Sequence, residues 1–424
     1  MTDPGLPAAE QTIIDGTVVR FEPDRFVLAE ADVSIKHGKI VAVGKRLPRD
    51  GEVVDAGGGL VLPGLVNGHT HLGMSALRGL VPFLALEEWL RRIWAIERTL
   101  TVSDVHVGTA LGLLEQLHQG TTTFNDDYLQ ADGAAHAALD LGARVQLVRG
   151  MIDLYDGKTQ ERLQDTLRLH GTFDGAGMGR LHIGVGIHSA GTVTEGLLHQ
   201  GTALADRLGT FVHSHVHETE RNIADFAART GQRPLGYLHD RGMLAGGPRV
   251  LVHCCHLEPA EVRTLCRLPA GGVVTCPSSN GNLRVGTTPI IDLQAGGCRL
   301  AIGTDGAVSN PRQDLRHEGQ LLARQADLSI ESVAHVLTAG GAAVLGLPVG
   351  AVVVGHHADL VLVDGSDPAP FLRGAVDPRM VLVAGQQLVQ SGRFCGGGSA
   401  NLQGLQHDGA LLRQRLEAVA AATA

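Results

Sequence analysis

The length, composition and charge of the chain exclude several classes of protein. Of its 424 residues, 44% are hydrophobic and 19% are charged, which is typical of a soluble globular protein. The formal net charge of −9 argues against nucleic acid as a partner, because phosphate binding usually needs a basic face. No apolar run is long enough to span a membrane and Met1–Ala9 carries no secretion signal, so we expect a cytoplasmic protein. Six cysteines, none in a Cys-x-x-Cys pair, predict a reducing compartment rather than a disulfide framework.

The N-terminal segment is predicted to form short strands. Within residues 10–62, the β-branched runs Thr12–Val19, Ala31–Ile35 and Lys39–Val43 are interrupted by turns at Asp15-Gly16 and His37-Gly38. This pattern indicates a small β-structured unit before the main body of the chain.

The central part of the chain alternates short apolar runs with helical patterns such as Leu86–Leu100, Ser103–Gln119, Glu195–Leu208 and Pro259–Leu268, which is typical of a parallel sheet. Eight strands, each followed by a helix, predict an α/β fold with a closed (β/α)8 TIM-type barrel. The alternative is an open doubly wound sheet, which does not gather the ends of all eight strands at one mouth. The predicted strands are Leu60–Gly68, Gly120–Phe124, Arg144–Val148, Leu181–Ile187, Thr210–Val216, Arg249–Val252, Gly272–Thr275 and Arg299–Ile302.

The two ends of the chain are predicted to form one small β-sandwich domain. Strand patterns return after Leu347, so residues 1–62 and 350–395 are assigned to this domain and residues 63–349 to the barrel. Residues 396–424 are predicted as a tail with a flexible joint at 396–398 and a helix over Leu402–Ala422.

Polar residues follow nearly every predicted barrel strand, and the first set is His69-Thr70-His71. The period of two in a strand places both histidines on one face, about 7 Å apart along the chain, where they can bind one ion. Because barrel active sites lie at the carboxyl ends of the strands, we expect these side chains to converge with those of the other strands.

Three more histidines end the fifth predicted strand, at positions 213, 215 and 217. All three share a face, so spacing alone does not decide which of them binds a metal and which are hydrogen-bonded core residues. Glu218 breaks the alternation, which suits a loop residue facing the mouth. A carboxylate beside a metal-bound water is the usual proton shuttle in metal-assisted hydrolysis.

The sixth and eighth strands add further candidate ligands. His253 ends the sixth strand and His256 follows it, and one of the two is predicted to be structural. Asp305 follows the eighth strand, where a lone aspartate is also common as a helix cap. Histidines together with an aspartate form a mixed nitrogen and oxygen set that suits a catalytic zinc or iron ion. Cys254 and Cys255 are predicted to fill the core.

Four motifs, which follow one another along the chain, together resemble those of the amidohydrolase superfamily. The resemblance covers almost the whole chain. It is strongest to the mononuclear aminohydrolases that include methylthioadenosine/S-adenosylhomocysteine deaminases and triazine hydrolases. No lysine ends the fourth strand, where binuclear members carry a carboxylated one. The motifs are residues 63–71 (PGLVNGHTH), 215–218 (HVHE), 253–257 (HCCHL) and 303–307 (GTDGA), with 357–361 (HADLV) near the end.

The resemblance implies roles for individual residues. His69, His71, His215 and Asp305 match the ligands of one divalent metal ion, with zinc expected and iron as the alternative. Glu218 matches the acid/base that carries protons to a ring nitrogen, while His253 and Asp305 match residues that steer the developing oxyanion and its proton.

The resemblance also implies a substrate. Glu97 and His188 match residues that hold ribose hydroxyls, and Arg149 and Arg162 match arginines that meet the carboxylate of S-adenosylhomocysteine. These four residues predict deamination of a 6-aminopurine nucleoside. Two segments depart from the family pattern and affect the pocket rather than the chemistry: His188–Gly191 lacks an aromatic residue, and Cys276–Leu283 is longer by two residues.

Three other functions remain open at this point. The same site could hydrolyse another heterocycle, such as a guanine-type base, a pterin or an s-triazine. A cyclic amidase is disfavoured by the missing lysine, and a non-catalytic relative is disfavoured because all four ligands are present. We expect a small-molecule substrate and a homo-oligomer, either a dimer or a tetramer, with no nucleic acid or membrane as partner.

Overall fold

The computed structural model describes residues 11–49, 51–396 and 402–423, and in this part of the chain strands alternate with helices. No helix within these ranges is both long and apolar enough to cross a membrane. The strands are β1 (Gln11–Ile14), β2 (Thr17–Phe21), β3 (Phe26–Glu30), β4 (Asp32–Lys36), β5 (Lys39–Gly44), β6 (Glu52–Asp55), β7 (Leu60–Pro63), β8 (Leu65–His71), β9 (Thr121–Asp127), β10 (Arg144–Val148), β11 (Gly150–Met151), β12 (Leu181–Ile183), β13 (Val185–Ser189), β14 (Val212–Val216), β15 (Arg249–His253), β16 (Gly271–Thr275), β17 (Leu300–Ile302), β18 (Asp305–Gly306), β19 (Leu360–Val363), β20 (Met380–Val383), β21 (Gln386–Gln390) and β22 (Arg393–Phe394).

The helices connect the parallel strands, and a short 3₁₀ helix (Leu72–Leu77) and a π-helical turn (Val336–Gly340) accompany them. The helices are α1 (Leu86–Glu97), α2 (Val102–His118), α3 (Ala131–Leu141), α4 (Thr159–Phe173), α5 (Ala176–Gly179), α6 (Glu195–Leu208), α7 (Glu220–Thr230), α8 (Pro234–Asp240), α9 (Pro259–Cys266), α10 (Pro277–Asn282), α11 (Ile290–Ala295), α12 (Leu315–Ala326), α13 (Ile330–His335), α14 (Gly341–Leu345), α15 (Ala369–Leu372) and α16 (Leu402–Thr423).

Two parallel sheets carry the central part of the fold. One has the order β12-β10-β9-β8-β18 and the other the order β11-β13-β14-β15-β16-β17. The chain passes from one sheet to the other at Gly184, which separates β12 from β13. Each of the eight predicted strands overlaps a strand of these two sheets. Their strands are buried on both faces, which is why they appear in the sequence as uninterrupted apolar runs.

Two further sheets are built largely from the ends of the chain. A four-stranded sheet has the order β5-β4-β1-β6, and a seven-stranded sheet has the order β22-β21-β20-β19-β7-β2-β3. Buried side chains of both sheets, including Ile13, Val33, Leu360 and Leu382, belong to one hydrophobic cluster. N-terminal and C-terminal segments therefore share a core.

The segment Leu60–Gly68, predicted as one barrel strand, is divided between two sheets. Leu60–Pro63 pairs with Leu360–Val363, whereas Leu65–His71 pairs with the parallel strand Thr121–Asp127. The division falls at Gly64, where a Cβ atom would overlap the side chain of Thr122. The predicted strand is therefore wrong at its N-terminal end.

A buried ion pair connects the parallel sheets to the C-terminal segment. Arg144, the first residue of β10, donates from Nε and Nη2 to the carboxylate of Asp359, at 2.6 and 3.0 Å, and both side chains are 1% exposed. The Asp359 carboxylate also accepts a hydrogen bond from the amide of Ala384 at 2.8 Å. Asp359 belongs to the motif at residues 357–361, and its contacts show that it holds the fold together.

The C-terminal helix is present as predicted, over Leu402–Thr423, and contacts α1 and α2. Leu412 and Leu416 of this helix are buried, and Gly409 lies close to Leu111 of α2. Of the predicted joint, Gly397 and Gly398 lie outside the described residues.

The cysteines differ from expectation in one respect. Cys266, at the end of α9, forms a disulfide with Cys298, just before β17. The two residues are 32 positions apart and meet only because α9 and β17 pack against the same strand, β16, so their spacing carries no signal of the pairing. Cys254 and Cys255 are buried free thiols, in agreement with their predicted role in the core.

Candidate metal and substrate site

Three histidines converge at the carboxyl ends of β8 and β14. The ring centroids of His69 and His71 are 4.7 Å apart, and that of His215 lies 5.0 Å from the first and 5.7 Å from the second. One nitrogen atom of each ring lies within 4.8 Å of the corresponding atoms of the other two. The strand period of two places His69 and His71 on the same face, as predicted.

Each of these rings uses Nδ1 to contact the protein, which leaves Nε2 facing the centre of the cluster. An imidazole whose Nδ1 is hydrogen-bonded presents Nε2 in a fixed direction, as is usual for histidines that bind metals. The Nδ1 partners are Nε2 of His213 at 2.9 Å for His69, the carbonyl oxygen of Asp127 at 2.5 Å for His71, and the carbonyl oxygen of His188 at 2.9 Å for His215.

Asp305 adds a carboxylate to the cluster. Its Oδ1 lies 3.4 Å from Nε2 of His69 and 3.3 Å from Nε2 of His71, while Oδ2 accepts a hydrogen bond from Ser279 at 2.5 Å. The residue has a φ of 58°, in the left-handed region that non-glycine residues adopt rarely. Such backbone strain is characteristic of functional positions, where the surrounding structure fixes the direction of a side chain.

The donor set fits a divalent metal ion. Nε2 of His69 is buried and has no hydrogen-bond partner among the described residues, so its lone pair is left without a protein donor. Burial lowers the pKa of His69 to about 4 and lowers that of His215 well below its usual value, so both imidazoles stay neutral, the form that binds metals. Three imidazole nitrogens and a carboxylate are typical ligands of zinc and iron.

Glu218 and His253 lie beside this cluster. Oε1 of Glu218 is 3.6 Å from Nε2 of His253, and Nδ1 of the histidine is 2.8 Å from Oδ1 of Asn280. His253 also offers a ligand atom within 4.8 Å of those of His69 and Asp305. Burial raises the pKa of Glu218, against the opposing effect of the His253 charge, and this favours a carboxyl group that both accepts and releases protons.

An inner cavity of about 80 Å³ opens onto the cluster and continues into an outer cavity of about 600 Å³. His215 and Glu218 line both cavities. One wall comes from α1, which contributes Leu86, Leu90 and Trp94 to both. The site therefore combines a polar floor with an apolar wall, as ligand pockets usually do.

The two residues predicted to hold ribose line the inner cavity. Glu97 is buried at the end of α1, where burial raises its pKa to about 7 against the opposing charge of His71. The ring of His188 stands 4.9 Å from that of His215, and burial lowers its pKa to about 4.

Arg149 and Arg162, predicted to meet a substrate carboxylate, line neither cavity. Nε of Arg149 pairs with Asp165 at 2.8 Å. Arg162 pairs with Asp156 at 3.0 Å and with Glu161 at 3.1 Å. The structure therefore does not bring these two residues together with the rest of the predicted site.

The histidines that sequence spacing could not distinguish have different environments. His213 lies behind His69, at a completely buried position. His217 points away from the cluster, since its Nε2 accepts a hydrogen bond from the amide of Leu235 at 3.1 Å. His256 is 2.5 Å from the carbonyl oxygen of Val285 and is structural.

Other site residues were not predicted. Ser279 and Asn280 of α10 hold Asp305 and His253, and the only signal for them was the departure of Cys276–Leu283 from the family pattern. The apolar wall on α1 shows in the sequence as apolar residues three and four positions apart, which is also the pattern of an ordinary core helix.

Comparison with known proteins agrees with the predicted family. The model of the Amidohydrolase family matches residues 60–392, and the chain belongs to this family of metal-dependent hydrolases. It is 37% identical over 386 residues to a protein of Haloarcula marismortui named 5-methylthioadenosine/S-adenosylhomocysteine deaminase, with 87% of each chain covered. It is 34% identical to the 5′-deoxyadenosine deaminase of Methanothermobacter thermautotrophicus, over 80% of this chain and 82% of the relative.

A solved structure shows the same fold. The crystal structure of an adenosine deaminase from Xanthomonas campestris with bound zinc superimposes with a TM-score of 0.88 at 29% identity, covering 97% of this chain and 99% of that one. The predicted resemblance to the amidohydrolase superfamily is thus confirmed.

Proposed function

We propose that this protein deaminates a 6-aminopurine nucleoside of the adenosine type to the corresponding inosine analogue and ammonia. The observation that carries the proposal is the position of Glu218, whose carboxylate faces the same cavity as His71, His215 and Asp305. A carboxylate there can carry protons between water and a ring nitrogen. Relatives at 37% and 34% identity, named as deaminases of such nucleosides, support this substrate class.

We assign one divalent metal ion, zinc, to His69, His71, His215 and Asp305. The buried lone pair of His69 and the shared use of Nδ1 by the three rings support the assignment. When bound, such an ion supplies Lewis-acid chemistry and lowers the pKa of a coordinated water to about 7.

The protein's own residues then move the protons. Hydrolytic deamination puts a water oxygen on the ring carbon and expels the amino group as ammonia, so protons must pass from the water to the ring nitrogen and to the leaving nitrogen. Glu218 takes up the first proton and delivers it to the ring nitrogen. His253, held through Nδ1 by Asn280, directs Nε2 at the reacting oxygen. Asp305 accepts the remaining proton from that oxygen and passes it to the amino group, which leaves as ammonia.

The cavity supports a nucleoside rather than a free base. Glu97 and His188 line the inner cavity, His188 also lines the outer one, and we assign both residues to the ribose hydroxyls. The outer cavity of about 600 Å³ then accommodates the substituent at the 5′ position of the ribose. The predicted contact of Arg149 and Arg162 with a carboxylate on that substituent requires their present ion pairs to open.

We also infer that the two parallel sheets close into a single eight-stranded barrel over residues 63–349. The chain passes from one sheet to the other at Gly184, between β12 and β13. It passes between them again after β17, because β17 pairs with β16 of one sheet and β18 pairs with β8 of the other. The shared core of the remaining sheets supports a β-sandwich made from residues 1–62 and 350–395. We assign the helix α16 to the C-terminal tail predicted for residues 396–424.

A deamination screen tests the function. Purified protein loaded with zinc is incubated with adenosine, methylthioadenosine, S-adenosylhomocysteine, guanine and melamine, and ammonia release is measured. We expect turnover of the adenine nucleosides and none of the free bases. Activity confined to guanine or melamine would overturn the substrate class while leaving the hydrolytic chemistry in place.

A further inference from the structure

Only one of the three convergent histidines is held by a side chain. Nδ1 of His71 and Nδ1 of His215 lie against backbone carbonyl oxygens, which any sequence would supply. Nδ1 of His69 instead lies 2.9 Å from Nε2 of His213, and the two rings stack with centroids 5.0 Å apart. The orientation of His69 therefore depends on the identity of residue 213.

The surroundings of His213 determine the direction of the hydrogen bonds. If Nε2 of His69 keeps its lone pair for a metal ion, the proton of that ring is on Nδ1, which donates to Nε2 of His213. His213 then carries its own proton on Nδ1. That atom is buried, has no hydrogen-bond partner among the described residues, and lies 3.7 Å from the carboxylate of Asp127. The negative charge of Asp127 favours a proton at this position over one on the opposite side of the ring.

We propose that His213 is a positioning residue that keeps His69 in the tautomer and orientation in which Nε2 faces the metal ion. His213 lines neither cavity, and its hydrogen-bonded partner among the ligands is His69, whereas it meets the ring of His215 only edge to face. This role accounts for the first histidine of the run 213–217, which spacing alone left undecided. The inference rests on the metal site assigned above.

Three substitutions separate positioning from space-filling. In His213→Gln the side-chain amide reaches the position of Nε2, so its oxygen can accept the proton of His69. In His213→Asn the amide is one carbon shorter and reaches only the position of Nδ1, which makes this variant the matched control. His213→Leu keeps the volume approximately and removes all polar contacts.

The main measurement is the zinc affinity of each variant, obtained by competition with a chelator. We expect His213→Asn and His213→Leu to bind zinc about 10- to 100-fold more weakly than the wild type, the usual effect of losing a partner behind a metal ligand. His213→Gln should retain most of the affinity. At saturating zinc, KM should be the same in all variants, because the substrate does not contact residue 213.

Thermal unfolding in excess chelator shows whether each metal-free variant is folded. If His213→Leu is not folded, the test uses the comparison of His213→Gln with His213→Asn. Equal zinc affinity in all variants, or an equal loss in the Gln and Asn variants, would overturn the role of His213 and leave the proposed function intact. A wild-type protein that binds no zinc would instead overturn the metal site itself, and with it the proposed function.

Discussion

The carboxylate of Glu218 lies 3.6 Å from Nε2 of His253, and both side chains face the cavity that is lined by His71 and His215. A group in this position can exchange protons with a water molecule and with a ring nitrogen in the same cavity. We therefore expect Glu218→Gln, which keeps the shape but cannot accept a proton, to reduce kcat by about 10²–10⁴-fold with metal content unchanged.

Steady-state kinetics and elemental analysis of the Glu218→Gln variant test this expectation. Glu220→Gln is the matched control, since Glu220 is two residues away and its side chain is 86% exposed. If the Glu218→Gln variant kept a kcat near that of the wild type, another group would carry the proton. If it lost its metal, Glu218 would be a ligand.

Metal content is the second prediction. We expect about one divalent ion per chain, and His71→Ala should lower both metal content and activity because one imidazole ligand is lost. His239→Ala, which removes an exposed histidine, should change neither. Elemental analysis of active protein that found no transition metal would contradict the site, and two ions per chain would indicate a binuclear centre.

The third prediction concerns the substituent at the 5′ position. Arg149 pairs with Asp165 and lines neither cavity, so we expect Arg149→Met to lower kcat/KM equally for methylthioadenosine and S-adenosylhomocysteine. A direct contact with the carboxylate of the second substrate would instead give a selective loss of about ten- to a hundredfold, since a charged hydrogen bond contributes about 1.5–3 kcal/mol. Kinetics with both substrates distinguish the two results.

The buried pair of Arg144 and Asp359 gives a prediction about stability. Arg144→Met leaves the carboxylate buried without its partner, so the free energy of unfolding should fall by about 3–5 kcal/mol. Arg25→Met, which removes one member of an exposed pair with Glu22, should cost at most about 1 kcal/mol. Denaturant unfolding measures the free energy of unfolding of both variants. Similar losses in the two would show that the buried pair of Arg144 and Asp359 contributes no more to stability than an exposed pair.

The disulfide between Cys266 and Cys298 gives the last prediction. A cross-link that closes a loop of this length restricts the unfolded chain, so Cys266→Ser should lower the free energy of unfolding by about 3–4 kcal/mol under oxidising conditions. Cys395→Ser, which removes an exposed free thiol, is the control. If a reductant leaves the free energy of unfolding of the wild type unchanged, the disulfide does not contribute to stability.

The positions of the metal-site residues along the chain could be predicted because of a simple physical regularity. Parallel strands buried on both faces are continuous apolar runs, so the first polar residue marks the end of the strand. His69, His253 and Asp305 occupy such positions, and ends of neighbouring parallel strands lie close together.

The roles within the run 213–217 could not be predicted, because a period of two puts all three histidines on one face. Their partners come from other parts of the chain: His69 on another strand for the first and the amide of Leu235 on α8 for the last. The two cysteines of the disulfide are likewise brought together only by packing, and the sequence around them does not distinguish a paired thiol from a free one.

The wall of the cavity shows another limit. Trp89 and Ile93 of α1 have the spacing of a buried helix face, and an apolar face turned to a substrate has the same pattern as one turned to the core. Only the position of the helix above the strand ends distinguishes the two.

The contact between α16 and α1 joins the substrate cavity to the last segment of the chain. Residues of α1 line both cavities, and α16 packs against the same helix. Because an element opens locally with a free energy set by its own contacts, docking of the terminal helix raises the protection of the α1 amides against hydrogen exchange. Loss of the α16 contact should therefore lower the protection of the helix that forms the cavity wall, although no residue of α16 lines either cavity.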